Sequence, residues 1–304
     1  MRLLLILANG LTRLLSWLPL GLLHTLAWPL GRLLYWLPWR KHAVIRTNLA
    51  LCFPDLNTRE RKQLHRDYLV EQLRLVFEAG AVFHWPQARL ASHIETEGWD
   101  AVHEAADSDQ GLMFVSGHFG NWELLNLYLS LHLPLATLYR APENAQLNRF
   151  ITQPRERFGG RMVPGGSPAL RQLLGQLKNG HAVAVAADIQ PKRGDGVFVP
   201  LFDQPALTMT LVTGLARRTG CAVFFCTALR RPDGQGWKLR FERAPELIQD
   251  KDPVTALTPM NAWLEENICR APAQYLWLYK RFSRQPDGQN PYKAGTRQHD
   301  PDRG

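Results

Sequence analysis

Gly111-Leu-Met-Phe-Val-Ser-Gly-His-Phe-Gly-Asn-Trp-Glu123 is the stretch that decides how this chain is read. Its first half, Gly111 to Ser116, is a short apolar run of the kind that forms a buried strand. Gly117 and Gly120 then permit a tight turn, Asn121 is an acceptable N-cap, and Trp122 to Leu133 carries a helical pattern stopped by Pro134. A strand that turns directly into a helix presents its turn at the carboxyl end of the sheet, where α/β folds keep functional residues. The turn holds His118, with Glu123 five positions on. Within one helix, positions five apart diverge by about 140°, so the two meet only if His118 precedes the helix and Glu123 lies in its first turn.

The alternation continues downstream. Leu135 to Tyr139, Ala182 to Ala187, Ala222 to Leu229 and Trp237 to Glu242 read as strands, and Ala169 to Lys178 and a segment near Thr210 to Arg218 as helices. Pro232-Asp233-Gly234 is a turn signal that suits a hairpin between the last two strands. Upstream, Asn57 or Thr58 caps a helix running to about Phe83. The expected class is α/β, a layered and mainly parallel sheet flanked by helices. No internal repeat is evident, and the residues from Gln285 on are polar and rich in Pro and Gly, as in a mobile tail.

The 304 residues carry a net charge of +9, which suggests an anionic partner without saying which. Its distribution is more informative. The first acid is Asp55, and before it stand Arg2, Arg13, Arg32, Arg40, Lys41 and Arg46, so this stretch holds +6 of the +9. It is also the most apolar part of the chain and contains Trp17, Trp28, Trp36 and Trp39. Apolar residues with Trp and Arg but no acids point to a membrane surface rather than nucleic acid. The longest run without charge, Leu14 to Gly31, sits at the lower limit for spanning and contains Pro19, Gly21, His24 and Pro29. A tilted span, a re-entrant hairpin and an in-plane amphipathic anchor are all compatible with it, and a soluble protein with an apolar N-terminal helical layer is the competing reading. The expected organisation is a membrane anchor over 1–40, a catalytic domain over 41–285 and a polar flexible tail over 286–304. The basic residues after Trp39 place that domain on the cytoplasmic side. Cys52, Cys221, Cys226 and Cys269 form no C-x-x-C pair and indicate neither a disulfide framework nor a metal site.

A carboxylate on one imidazole nitrogen fixes the tautomer and leaves the other nitrogen free to take a proton from an alcohol. His118 with Glu123 suits that general-base role, and a structural histidine bonded to backbone is the competing reading of the same spacing. Ser116 lacks the G-x-S-x-G elbow of an exposed nucleophile.

His118-Phe-Gly-Asn-Trp-Glu123 closely resembles the H-x-x-x-x-D/E motif of the bacterial lipid A late acyltransferase family, relatives of the glycerolipid acyltransferases. Tyr139-Arg140 with Asn144, Arg155-Glu-Arg-Phe-Gly159, Asp188-Ile-Gln190, Val197 to Phe202 through Thr208, and Tyr275 to Phe282 resemble further family segments in the family's order. The resemblance covers most of residues 1–285. It implies a glycerolipid-acyltransferase-like fold and an enzyme of lipopolysaccharide biosynthesis at the inner membrane. The implied reaction transfers a fatty acyl chain of the lauroyl or myristoyl class from acyl carrier protein to a hydroxyl of a lipid A precursor, by direct transfer and without a cofactor. His118 is then the general base, Glu123 its orienting partner, and Arg155 the cation near them for an oxyanion or a lipid phosphate. Asn121, Arg140, Asp188, Gln190, Lys280 and Arg281 are the candidate substrate contacts, with Asp188 and Gln190 either orienting Arg155 or binding sugar. Asp203 departs from the pattern, standing where the family commonly has Gly. Arg217, Arg218, Arg230, Arg231 and Lys238 are candidates for docking the acidic carrier protein. Another glycolipid or an amino-acid lipid as acceptor, and a non-catalytic membrane-binding scaffold, are the alternative readings.

Overall fold

The computed structural model describes residues 2–108, 110–192, 194–232 and 234–294. Four helices come first: α1 (Arg2–Leu15), α2 (Leu20–Leu34), α3 (Lys41–Cys52) and the long α4 (Thr58–His84). Asn57 and Glu60 start α4 with a reciprocal capping box, Asn57 Oδ1 accepting from the Glu60 amide at 3.0 Å and Glu60 Oε2 from the Asn57 amide at 2.8 Å. After them come α5 (Gln87–Ala91), β1 (Ile94–Glu97), α6 (Trp99–Ala106), β2 (Leu112–Ser116), α7 (Trp122–His132) and β3 (Leu135–Tyr139). The middle of the chain forms α8 (Ala145–Arg155), β4 (Arg161–Pro164), α9 (Ser167–Lys178), β5 (Ala182–Ala186), β6 (Gly196–Leu201) and β7 (Gln204–Met209). Last are α10 (Leu211–Thr219), β8 (Ala222–Arg230), β9 (Trp237–Arg243), α11 (Pro253–Arg270) and the short α12 (Pro291–Ala294).

Seven strands form one sheet in the order β1-β9-β8-β2-β5-β3-β4, and β6 with β7 makes a separate hairpin. Every neighbouring pair in the large sheet is parallel except β8 with β9. The mainly parallel α/β sheet expected from the sequence is therefore present. Arg231 and Gly236 close the β8–β9 connection through a 3.0 Å backbone bond, while Asp233 of the expected turn lies outside the described residues.

β2 shows how the layers are built. Met113 and Val115 enter one core with α3, α9, α10 and α11, whereas Leu112 and Phe114 enter the other with α2, α6 and α7. Both faces are covered, so the strand reads as continuously apolar. At the β6–β7 turn, Phe202 and Asp203 have φ of 52° and 56°. Two consecutive left-handed residues make the tight hairpin, and Asp tolerates that conformation better than most residues after Gly. The departure at Asp203 thus falls on turn geometry.

The N-terminal segment differs from a spanning anchor. No helix among the described residues is long and apolar enough to cross a membrane. α2 instead lays Leu20, Leu23, His24, Ala27 and Gly31 against the body, at a helical spacing. Gly31 allows the contact with α4, because a Cβ there would stand 2.5 Å from the Val70 Cα. The opposite surface of α1, α2 and the loops beside them exposes Leu3, Leu4, Leu7, Leu11, Leu14, Trp17, Leu22, Leu26, Trp28, Leu33 and Trp36, with Trp17 and Trp36 78% and 72% exposed. Of the expected tail, residues 295–304 lie outside the described residues.

Candidate active site

β2 ends at Ser116 and α7 begins at Trp122, so His118 stands in the turn before the helix and Glu123 in its first turn, as the spacing requires. The turn is held from both sides. Gly120 donates its amide to the Gln274 carbonyl at 2.8 Å, Asn121 donates to the Ala228 carbonyl at 2.8 Å, and Leu276 donates to the His118 carbonyl at 3.2 Å. Gly120 has a φ of 49°, and a Cβ there would meet the Ala228 carbonyl oxygen at 2.2 Å, so close backbone approach and left-handed geometry both require glycine. Asn121 caps α7 by accepting the Leu124 amide at 3.2 Å. The Ser116 hydroxyl donates to the Cys226 carbonyl at 2.8 Å and is a structural group at the sheet end.

The carboxylate bound to the imidazole comes from another strand. β5 lies beside β2, and Asp188, two residues past its end, accepts from His118 Nδ1 at 2.9 Å with Oδ1 and from the His118 backbone amide at 2.9 Å with Oδ2. Because an ionised carboxylate only accepts, Nδ1 carries the proton and Nε2 is the nitrogen left as a base. Asp188 is 2% exposed, and the imidazole is partly open. Burial opposes a charged His118, but the charge and hydrogen bond of Asp188, with a contribution from the Glu123 charge, outweigh it and raise the imidazole above its ordinary value. Burial likewise opposes a charged Asp188, and its bonds to His118 with the nearby Arg281 charge lower it.

Glu123 pairs with Arg155. Arg155 Nε donates to Glu123 Oε2 at 2.7 Å, and Nη2 donates to Oε1, a planar two-point pair. α8 delivers Arg155 at its last turn, started by the Asn144 cap on the Leu147 amide at 2.9 Å and tied to α7 by Asn126, which donates to the Arg155 carbonyl at 3.0 Å. Burial weakens the Arg155 charge and Glu123 restores it, with a net upward shift. The structure therefore brings His118, Glu123 and Arg155 together but pairs them differently from expectation: the imidazole bonds to Asp188, and Glu123 bonds to the Arg155 guanidinium. Asp188 bonds to His118 and Arg155 to Glu123, so the expectation that Asp188 orients Arg155 is not met.

The expected substrate contacts divide. Arg140, directly after β3, and Lys280 are exposed. Asn121 is 1% exposed and spends its amide on Glu78 at 2.9 Å. Gln190 donates its backbone amide to the Tyr279 hydroxyl at 2.9 Å and its side-chain amide to the Lys280 carbonyl at 3.0 Å, so it ties down residues 279–283. Arg281 is 3% exposed, donating to the Leu207 carbonyl at 2.7 Å and the Thr208 hydroxyl at 3.0 Å, which removes it from any surface phosphate. The expected carrier-protein patch is mostly neutralised. Arg230 is buried against Glu71 and Glu78, Arg231 pairs with Glu95 at 2.7 Å, and Lys238 pairs with Glu97 at 2.6 Å. Sequence reasoning missed Glu78, whose only signal is an acid on the inward face of α4.

Known proteins similar to this chain fall in one group of enzymes by name. A family model described as bacterial lipid A biosynthesis acyltransferase matches residues 2–284. The lipid A biosynthesis palmitoleoyltransferase of Escherichia coli (strain K12) is 32% identical over 253 residues, covering 83% of this chain and 81% of that protein. The lipid A biosynthesis lauroyltransferase of the same organism is 30% identical, with 82% and 81% covered. The phosphatidylinositol mannoside acyltransferase of Mycolicibacterium smegmatis (strain ATCC 700084 / mc(2)155) is 26% identical, with 73% and 72% covered.

Proposed function

The chain belongs to the bacterial lipid A biosynthesis acyltransferase family, and from that membership we propose that it moves a fatty acyl chain from acyl carrier protein to a hydroxyl of a lipid A precursor. It is an acyltransferase. The observation that carries the mechanism is the imidazole of His118, anchored at Nδ1 by Asp188, with no hydrogen bond to Nε2 among the described residues and with the charges of Glu123 and Arg155 acting on the ring.

In this reading Nε2 removes the proton from the acceptor hydroxyl as its oxygen attacks the thioester carbonyl. The Arg155 fork toward Glu123 uses Nε and Nη2 and leaves Nη1 for the negative charge that develops on the carbonyl oxygen or for the standing charge of a lipid phosphate. Collapse breaks the carbon–sulfur bond, and the departing thiolate takes the proton from the His118 imidazolium. One ester forms, one thioester breaks, and no enzyme nucleophile or cofactor enters the balance.

The exposed apolar surface of α1 and α2, rich in Leu and Trp and flanked by Arg and Lys without acids, supports an in-plane contact with the cytoplasmic face of the inner membrane. That seat would bring the site to a lipid acceptor. The mycolicibacterial relative keeps a second acceptor class, a mannoside glycolipid, as the competing reading. The assembled site opposes a non-catalytic scaffold.

The test is acyl transfer by purified protein from acyl carrier proteins of several chain lengths to a lipid A precursor. Turnover that disappears in His118→Ala supports the reading. Transfer to a mannoside acceptor alone would move the protein to the second class, and full turnover in His118→Ala would remove the proposed base.

A further inference from the structure

One carboxylate outside the reacting pair gathers donors from four parts of the fold. Glu78, on α4, is 0% exposed. Its Oε1 accepts from His24 Nε2 on α2 at 2.7 Å and from Arg230 Nε at the end of β8 at 2.7 Å. Its Oε2 accepts from Trp237 Nε1 on β9 at 3.2 Å and from Asn121 Nδ2 at 2.9 Å. Glu71, two turns earlier on the same face of α4, takes Arg230 Nη1 at 3.1 Å. Burial opposes the charge of Glu78, and Arg230 with His24 overcomes it and lowers its proton affinity.

A buried ion pair is weak evidence for stability, because packed apolar residues of the same volume often serve as well. What such a group supplies is a defined arrangement, since each donor it holds is costly to leave unpaired. Here one of those donors belongs to the catalytic turn. The Asn121 side chain is bonded twice: Nδ2 to Glu78, and Oδ1 to the Leu124 amide in the first turn of α7, where Glu123 also lies. The amide of Asn121 therefore transmits the position of α4 to the first turn of α7, and Glu123 in that turn orients Arg155.

We propose that Glu78 is a positioning residue for acyl transfer, holding Asn121, and through it the turn between His118 and Glu123, at a fixed place relative to α2, α4 and β8. This rests on the acyl-transfer reading for its kinetic consequences. Misplacing a reacting group by about 1 Å costs on the order of a hundredfold in rate, so a tether of this kind acts on kcat more than on binding.

Three variants separate tethering from simple stabilisation. Asn121→Ser keeps an oxygen that caps α7 but no longer reaches Glu78, whose Oε2 retains Trp237. Glu78→Gln puts a donor against donors, whichever way its amide points. In the double variant Glu78→Gln/Asn121→Asp, the Gln amide donates to the Asp carboxylate, which restores the bond with its polarity reversed and keeps the local charge. The expected result is a kcat lower by about tenfold or more in each single variant with KM nearly unchanged, and recovery in the double beyond the product of the two losses. Amide exchange over residues 117–124 should quicken in the single variants and slow again in the double. Wild-type kcat and wild-type exchange in Asn121→Ser, or losses that simply multiply in the double, would overturn the proposal. Exchange reads the turn without any acceptor, so a wild-type protein that acylates nothing would end the acyl-transfer reading while the tether is still decided.

Discussion

Asp188 holds His118 at two points, one carboxylate oxygen on the Nδ1 side of the ring and the other on the backbone amide, each at 2.9 Å. A bond to Nδ1 alone would fix the tautomer. The second bond fixes where the ring begins.

Asp188→Asn should therefore retain the fold and lose kcat by about 10²- to 10⁴-fold, because an amide can present a donor to Nδ1 and select the wrong tautomer. Single-turnover rates on purified protein, alongside a thermal melt, check it. A variant within a few-fold of wild type would show that the bond is only architectural.

The pH profile follows from the same pair. His118 lies above its ordinary 6.5, so the acidic limb of kcat/KM should fall above pH 6.5. Removing the Asp188 carboxylate leaves burial, which lowers the imidazole, and the residual activity of Asp188→Asn should show that limb at lower pH. For stability, the raised His118 contributes fully below about 6.5 and loses its contribution as pH climbs through the folded value. The depressed Asp188 contributes above its ordinary 3.8 and loses its contribution as pH falls through its folded value. The stability gap between wild type and Asp188→Asn should thus be widest at mildly acidic pH, read by denaturant titrations across the range.

Arg155→Lys keeps the charge but not the planar two-point pair with Glu123. The rate should drop by about tenfold or more, because an ammonium on a flexible stem neither matches the carboxylate nor stays aimed at the oxyanion. Steady-state kinetics decide it, and unchanged kcat would reduce Arg155 to a source of charge.

Gly120→Ala should cost at least about 2 kcal/mol in stability, since a left-handed residue is forced against the Ala228 carbonyl. Urea unfolding measures this. A cost near zero would mean that the turn can open without disturbing β8.

Replacing Trp17, Trp28 and Trp36 together with Ser should weaken binding to anionic vesicles by about tenfold or more and move stability by little, because all three are exposed. Co-sedimentation with liposomes reads the first and a melt the second. Equal binding by the triple variant would place the membrane contact elsewhere.

Much of the fold is legible in the sequence because its signals are local. The run Leu112–Ser116, the cap Asn121, Pro134 after α7 and the strand Leu135–Tyr139 are each specified within a few residues. The location of His118 before the helix and Glu123 in its first turn was legible for the same reason. The partner of His118 was not, because it depends on β5 lying next to β2, a strand order that periodicity does not encode. Arg281 and Arg230 differ from expectation for one reason: a cation in sequence looks exposed, and only tertiary packing reveals the carbonyls and carboxylates that enclose these two. The N-terminal segment shows the reverse. Its greasy composition is local, but its division into a packed face and an open face depends on where α4 lies.

In the ladder between the two strands that carry the pair, Ser116 stands opposite Ala186. His118 and Asp188 each follow two residues later, an equal overhang on parallel neighbours. An insertion in α9, between Arg155 and β5, leaves every residue of the site on its own element, whereas one residue added to either overhang separates base from carboxylate by a step of about 3.3 Å. Two short exits from the sheet are thus length-locked to each other, and a change in one is tolerated only with a matching change in the other.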